Sequence, residues 1–276
     1  SSDVCSSDLI YADEALFLAG INPAVRRLSP ARATDLAATI RAVLPAERPI
    51  AAPYTRGAVY APAAGQSVVY NSDLPVEDLG MMLLYASPAP TVMNEANGLV
   101  LGRHLRNRAF DTLRTEEQLG YAAGGLTTTM QDHPWIGFYI QTPVKAPQAM
   151  LERFEQFSLE YATMLEALTE DQFENLKSGV LTQLTEPPTN LSDEAGPYLA
   201  DWIREQYDFS SREQLIAAVQ AVTLASIRDY YQKAVLADNP SRILIQLRGQ
   251  RWQDEPYANL EGATLINNVR SEEHTS

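Results

Sequence analysis

The stretch Leu113-Arg114-Thr115-Glu116-Glu117-Gln118-Leu119-Gly120-Tyr121 separates two patterns of hydrophobic residues. Before it, apolar residues recur at helical spacing from 90 to 112. After it, residues 121–129 and 135–142 form two strand-like runs joined by a polar turn, which predicts a β-hairpin. The stretch therefore predicts a junction in which a helix passes through a glycine-containing turn into a strand.

Outwards from this junction, the remaining patterns complete the order of elements. On its N-terminal side we expect a strand at 15–19, a helix opened by Ser29 and Pro30, and a second hairpin formed by strands 67–71 and 79–86. On its C-terminal side we expect five helices, at 147–168, at 169–186, at 192–207, beginning at 211, and at 223–236, followed by a last strand at 242–248. Capping boxes are expected at Thr169–Gln172 and Ser211–Gln214. Adjacent strands joined by short turns, with long helical insertions, predict an α+β fold with a mostly antiparallel sheet covered by helices.

The composition of the chain argues against some classes of binding partner. The chain has 276 residues, 45% of them hydrophobic, and a net charge of −14. Such an acidic net charge argues against a nucleic-acid partner, because phosphate binding requires a basic face. No apolar run approaches the roughly 18 residues of a membrane span, so we expect neither a nucleic-acid partner nor a membrane span.

Both ends of the chain look artificial. Residues 4–9 (VCSSDL) and 270–276 (RSEEHTS) resemble translations of a sequencing-adapter oligonucleotide, one in each sense. We therefore expect residues 1–9 to be artefact, residues 10–263 to form a single domain, and residues 264–276 to be a mostly artefactual tail. Cys5 belongs to the first of these segments, so no thiol chemistry is expected from the genuine chain.

Few residues carry obvious chemistry. Outside the tail the only histidines are His104 and His133, neither at ligand spacing from a second metal-binding residue. Neither HExxH nor HxxEH occurs, and there is no GxSxG nucleophile motif. No metal or cofactor site is therefore expected in this chain.

Arg114 and Tyr121 remain as candidates. A guanidinium with five donors and a phenol with one, both at element ends, suit a carbonyl oxygen that gains negative charge during peptide hydrolysis. The alternative is structural, with Arg114 paired to Glu117 or another acidic neighbour and Tyr121 half-buried in a strand.

The nine residues LRTEEQLGY at 113–121 closely resemble the signature of the C-terminal half of the pitrilysin and insulin-degrading-enzyme family of zinc peptidases. Weaker resemblance covers about residues 10 to 263, including Leu18-Ala19-Gly20-Ile21-Asn22, Leu181-Thr182-Gln183-Leu184 and the last strand.

The resemblance implies the LuxS/MPP-like metallohydrolase fold. It also implies the fourth of four homologous domains in a zinc metalloendopeptidase, in which an HxxEH motif on the first domain holds the zinc. Arg114 and Tyr121 would then bind the substrate backbone and stabilise the oxyanion, completing a catalytic site on another domain. Gly120 would serve the turn, and Glu117 and Gln118 would support it. This chain would hold no zinc and be inactive alone.

The resemblance leaves alternatives open. Some relatives have lost the zinc motif, so the parent protein could be a non-catalytic substrate-binding or chaperone-like subunit, or a peptidase dedicated to one peptide in cofactor biosynthesis. The expected partners are a peptide or unfolded-protein substrate and the N-terminal half that carries the zinc domain. The expected location is periplasmic, as in many bacterial relatives, with the cytoplasm as the alternative.

Overall fold

The computed structural model describes residues 29–43, 62–130 and 132–266. The chain divides into two compact units, Ser1–Gly57 and Ala58–Ser276. In the first unit the described element is helix α1 (Pro30–Val43), opened by a hydrogen bond from the Arg32 amide to the Ser29 hydroxyl. The strand expected at 15–19 lies outside the described residues. The predicted boundaries at 1–9, 10–263 and 264–276 remain predictions.

The second unit contains a mixed sheet and the remaining described helices. Its strands are β1 (Ser67–Asp73), β2 (Leu79–Ala86), β3 (Ala122–Met130), β4 (His133–Thr142), β5 (Arg242–Arg248) and β6 (Thr264–Ile266). Its helices are α2 (Val92–Ala109), a π-helix (Phe110–Glu116), α3 (Pro147–Glu166), α4 (Glu170–Thr185), α5 (Leu191–Ile203), α6 (Ser211–Ala221), α7 (Leu224–Ala234) and a 3₁₀ turn (Gln250–Trp252). This is the α+β class expected from the sequence.

The sheet has the order β3-β4-β2-β5-β1-β6. The pairs β3–β4, β4–β2 and β2–β5 are antiparallel, whereas β1 runs parallel to both β5 and β6. The hairpin predicted from residues 121–129 and 135–142 is confirmed as β3–β4. The hairpin predicted from residues 67–71 and 79–86 is wrong, because β5 lies between β1 and β2 and pairs with both.

Helix ends follow the predicted capping in most places. Thr169 forms the expected capping box with Gln172, and Thr223 caps α7 through a capping box with Ser226. The box expected at Ser211–Gln214 does not form. Ser210 is the N-cap of α6 and makes no side-chain capping hydrogen bond, and its hydroxyl accepts a hydrogen bond from the Gln214 side-chain Nε2 at 2.7 Å.

The core lies between the sheet and helices α2 and α3. Alternate residues of β2 point into it, as the two-residue period of a strand requires, and an aromatic cluster from β4, α3 and α7 fills its centre. That cluster consists of Phe138, Phe154, Phe157, Tyr161 and Tyr231. Helices α4, α6 and α7 pack against α2 and α3. In the described ranges no helix has the length and apolar content that crossing a bilayer would require.

Candidate functional site

The regular α-helical hydrogen bonding of α2 ends at Ala109, but the chain remains helical beyond it. It continues as the π-helix Phe110–Glu116, and the Glu117 amide bonds to the Thr112 carbonyl at 3.0 Å. The wider turn carries Arg114 beyond the predicted helix end and presents it next to the following loop. Single π turns inside helices occur frequently at functional sites.

The loop after the π-helix is fixed on strand β4. Gln118 has φ of 52°, a left-handed conformation that reverses the chain. The Leu119 carbonyl accepts a hydrogen bond from the Thr142 hydroxyl at 2.5 Å. Gly120 lies so close to β4 that an added Cβ would sit 2.0 Å from the Gln141 carbonyl oxygen. Glycine is therefore required by a close backbone approach and not by its φ angle.

This loop brings Arg114 and Tyr121 together. The Arg114 guanidinium carbon lies 5.0 Å from the centre of the Tyr121 ring and 4.6 Å from that of Phe110, both cation–π distances. Tyr121 is 84% exposed. Neither Arg114 nor the Tyr121 hydroxyl has a hydrogen-bond or ion-pair partner among the described residues, so both keep their donors available to a ligand.

Glu117 is paired with a residue that sequence reasoning missed. Its carboxylate accepts hydrogen bonds from Arg153 Nε at 2.9 and 3.1 Å and from Nη2 at 2.5 Å. Arg153, on α3, is 9% exposed and also binds Glu160 at 2.9 Å. The hydrogen bond to Glu117 is the main cause that raises the pKa of Arg153. The structural alternative in which Arg114 pairs with Glu117 is therefore not what the structure contains.

The two histidines outside the tail have structural partners. His104 is buried, with Nδ1 2.9 Å from the Tyr161 hydroxyl and Nε2 3.4 Å from Arg108 Nε. Burial, assisted by the Arg108 charge, lowers the pKa of His104 to about 4. His133 Nε2 lies 3.2 Å from the Ser87 carbonyl oxygen. In the part of the chain that the structure describes, no group of three His, Cys, Asp or Glu residues could hold a metal.

The arrangement is a pair of adjacent donors flanking a loop that is hydrogen-bonded to strand β4. A permanently charged guanidinium and an exposed phenol can bind one carbonyl or carboxylate oxygen together. Among the described residues around the pair there is no set of metal ligands. This chemistry suits recognition of such an oxygen and stabilisation of negative charge on it.

Comparisons with known proteins agree with this fold. Residues 100–199 match the family model described as PQQ synthase PqqF-like, C-terminal lobe domain 4. The chain is 28% identical to Protease 3 of Escherichia coli (strain K12) over 214 residues, which is 76% of this chain and 22% of that protein. It is 27% identical to the A-factor-processing enzyme of Saccharomyces cerevisiae over 142 residues, 51% of this chain and 14% of that enzyme.

A solved structure extends the match to most of the chain. The crystal structure of pitrilysin superposes with a TM-score of 0.76 at 26% identity, covering 88% of this chain and 26% of the pitrilysin chain. The matches thus span only 14% to 26% of the length of these relatives. Together with the resemblance of residues 113–121 to the family signature, these matches support the assignment of this chain as a C-terminal domain of the pitrilysin and insulin-degrading-enzyme family.

Proposed function

We propose that this domain completes the active site of a pitrilysin-like zinc metalloendopeptidase. Arg114 and Tyr121 bind the peptide backbone and donate hydrogen bonds to the oxygen that gains negative charge during hydrolysis. The observation that carries the proposal is the pairing of these two side chains on a fixed loop, with no competing partner among the described residues.

The geometry favours a role in the transition state. The Arg114 charge beside the phenol ring favours the orientation of both groups before substrate arrives, and donors held in place need little reorganisation during the reaction. Tyr121 supplies a neutral donor and Arg114 a charged one, so together they match an oxyanion better than they match a neutral carbonyl.

The metal belongs to the other half of the parent protein in this proposal. Zinc bound there would supply an activated water molecule. This chain supplies the substrate contacts on the opposite side of the bond and is inactive by itself. Its substrates are peptides or small unfolded proteins, and its partner is the N-terminal half of the same protein.

Replacement of Arg114 in the whole parent enzyme tests the role of the charged donor. Arg114→Gln should lower kcat/KM by about 100-fold or more, because a donor to a developing oxyanion is lost. Arg32→Gln, which removes the same charge from exposed helix α1, is the matched control. Equal activities of the two variants would remove Arg114 from the site. If the sequence of the complete parent protein contains no HxxEH motif, the parent would instead be a non-catalytic binding or chaperone-like subunit.

We also propose a periplasmic location, on the basis of the bacterial members of the family. Fractionation of cells that express the complete gene tests this proposal. Recovery of the parent protein with periplasmic markers is expected, and recovery with cytoplasmic markers would contradict it.

A further inference from the structure

A second polar feature lies along the same helix as the candidate site. A groove of about 450 Å³ opens between α2, α4 and β3. Two arginines, two amide side chains and a hydroxyl surround a floor of aliphatic residues. The lining residues are Leu99, Arg103, Arg106, Asn107, Thr127, Val180, Gln183 and Leu184.

The charge of this groove differs from that of the chain. The chain has 35 acidic and 21 basic residues, yet none of the eight residues that line the groove is acidic. Within the described ranges neither Arg103 nor Arg106 forms an ion pair or a side-chain hydrogen bond. Both arginines are exposed. Two neighbouring guanidinium groups with no acidic partner among the described residues attract an anion more strongly than a single arginine does.

The Arg103 guanidinium lies beside Gly179 of helix α4. A Cβ added to Gly179 would lie 2.9 Å from the Arg103 guanidinium carbon and 3.0 Å from Nη1. The absence of a side chain at Gly179 thus leaves room for the guanidinium to lie against the α4 backbone. Val180, the next residue, is 6% exposed and belongs to the apolar floor.

The candidate site adjoins two of the elements that line the groove. Arg106 lies on α2 and Arg114 lies eight residues later, in the π-helix that continues α2, so they are at most roughly 12 Å apart along the axis at the α-helical rise of about 1.5 Å per residue. Tyr121 directly precedes β3 and is roughly 20 Å from Thr127 along a strand that rises about 3.3 Å per residue. An extended peptide bound at Arg114 and Tyr121 would reach the groove after about four to six residues.

We propose that the groove is a subsite that binds a carboxylate of the peptide substrate several residues away from the cleaved bond. Arg103 and Arg106 supply the charge, and Asn107 and Gln183 supply additional donors. The inference rests on the proposed function for its peptide substrate. Either an Asp or Glu side chain or the C-terminal carboxylate could supply the ligand, and both have the same chemistry.

Peptide binding to the complete 276-residue chain tests the proposal without cleavage. Fluorescently labelled peptides would carry one Glu, placed in turn at each position, with Gln at that position in the matched control and an amidated C-terminus. A third series would have no Glu but a free C-terminal carboxylate. We expect at least one Glu position or the free terminus to strengthen binding about tenfold, as one charge-assisted contact does.

Three variants and the control Arg32→Gln assign the effect to the groove. Arg103→Gln and Arg106→Gln should each remove most of the carboxylate preference, whereas Arg32→Gln should leave it intact. Gly179→Ala keeps the net charge but displaces Arg103, so it should also weaken the preference. No preference in any peptide series, or equal losses in Arg32→Gln and Arg103→Gln, would overturn the subsite. Because binding is measured without hydrolysis, the carboxylate preference can be established or refuted even if the catalytic proposal fails.

Discussion

Arg153 on α3 holds Glu117 at the end of the π-helix, through hydrogen bonds of 2.9 and 3.1 Å from Nε and one of 2.5 Å from Nη2. The pair joins the loop of the candidate site to the helix that packs on the sheet. Because Arg153 is 9% exposed, loss of Glu117 would leave a nearly buried charge with Glu160 as its remaining partner. Breaking such a pair costs more than breaking an exposed one.

A double-mutant cycle measures this interaction. Arg153→Met, Glu117→Gln and the double variant should give a coupling energy of about 1–3 kcal/mol in urea denaturation, as expected for contacting residues in one network. The exposed pair Lys233–Asp229, at 2.7 Å, is the control and should give about 0.3–0.5 kcal/mol. Similar coupling energies for the two pairs would show that Arg153 does not fix the loop.

Gly120 offers a test of the close approach to strand β4. Gly120→Ala should destabilise the domain by about 1–3 kcal/mol, because the new methyl group would displace the Gln141 backbone. Gly98→Ala on α2 is the control. Its added methyl would meet the Tyr230 hydroxyl at an ordinary 3.5 Å, and alanine favours helix by about 1 kcal/mol over glycine. Thermal denaturation of both variants should show a lower Tm only for Gly120→Ala.

His104 predicts an acid sensitivity of the fold. The folded domain protonates His104 near its lowered pKa of about 4, whereas an unfolded imidazole has a pKa of about 6.5. The unfolded chain therefore binds the proton first, and stability falls as the pH drops from about 6.5 towards 4, by up to about 3 kcal/mol. Urea denaturation at several pH values in this window should show a smaller fall for His104→Gln. An identical fall in the two proteins would contradict the assignment.

Local patterns in the sequence predicted elements well and non-local pairing poorly. The run 121–142 contains both strands of the β3–β4 hairpin and its turn, so its pairing could be predicted. Strand β1 pairs in parallel with β5, where Ser67 lies opposite Arg242. The short segment between β1 and β2 looks like a hairpin turn, but nothing in it predicts that β5, which begins at Arg242, will lie between the two strands.

Only part of the candidate site could be predicted from the sequence. The residue types and spacing of Arg114 and Tyr121 indicated a pair of donors, and the structure places them 5.0 Å apart, from guanidinium carbon to ring centre. The π-helix that sets this distance has no sequence signal, because its residues also suit an ordinary helix. Arg153 was missed because it looks like any arginine on an amphipathic helix until its contact with Glu117 is known.

The most direct test of the central claim is kcat/KM for peptide hydrolysis by the whole parent protein with Tyr121→Phe. This change removes one hydroxyl and keeps the ring beside Arg114, so the loop and the cation–π contact persist. We expect a loss of about 100- to 1000-fold, mostly in kcat, as for other oxyanion donors. Tyr207→Phe, which removes a hydroxyl from a side chain that is 63% exposed, should have no effect. Equal kcat/KM values for wild-type enzyme and Tyr121→Phe would contradict the proposed role of this domain in catalysis.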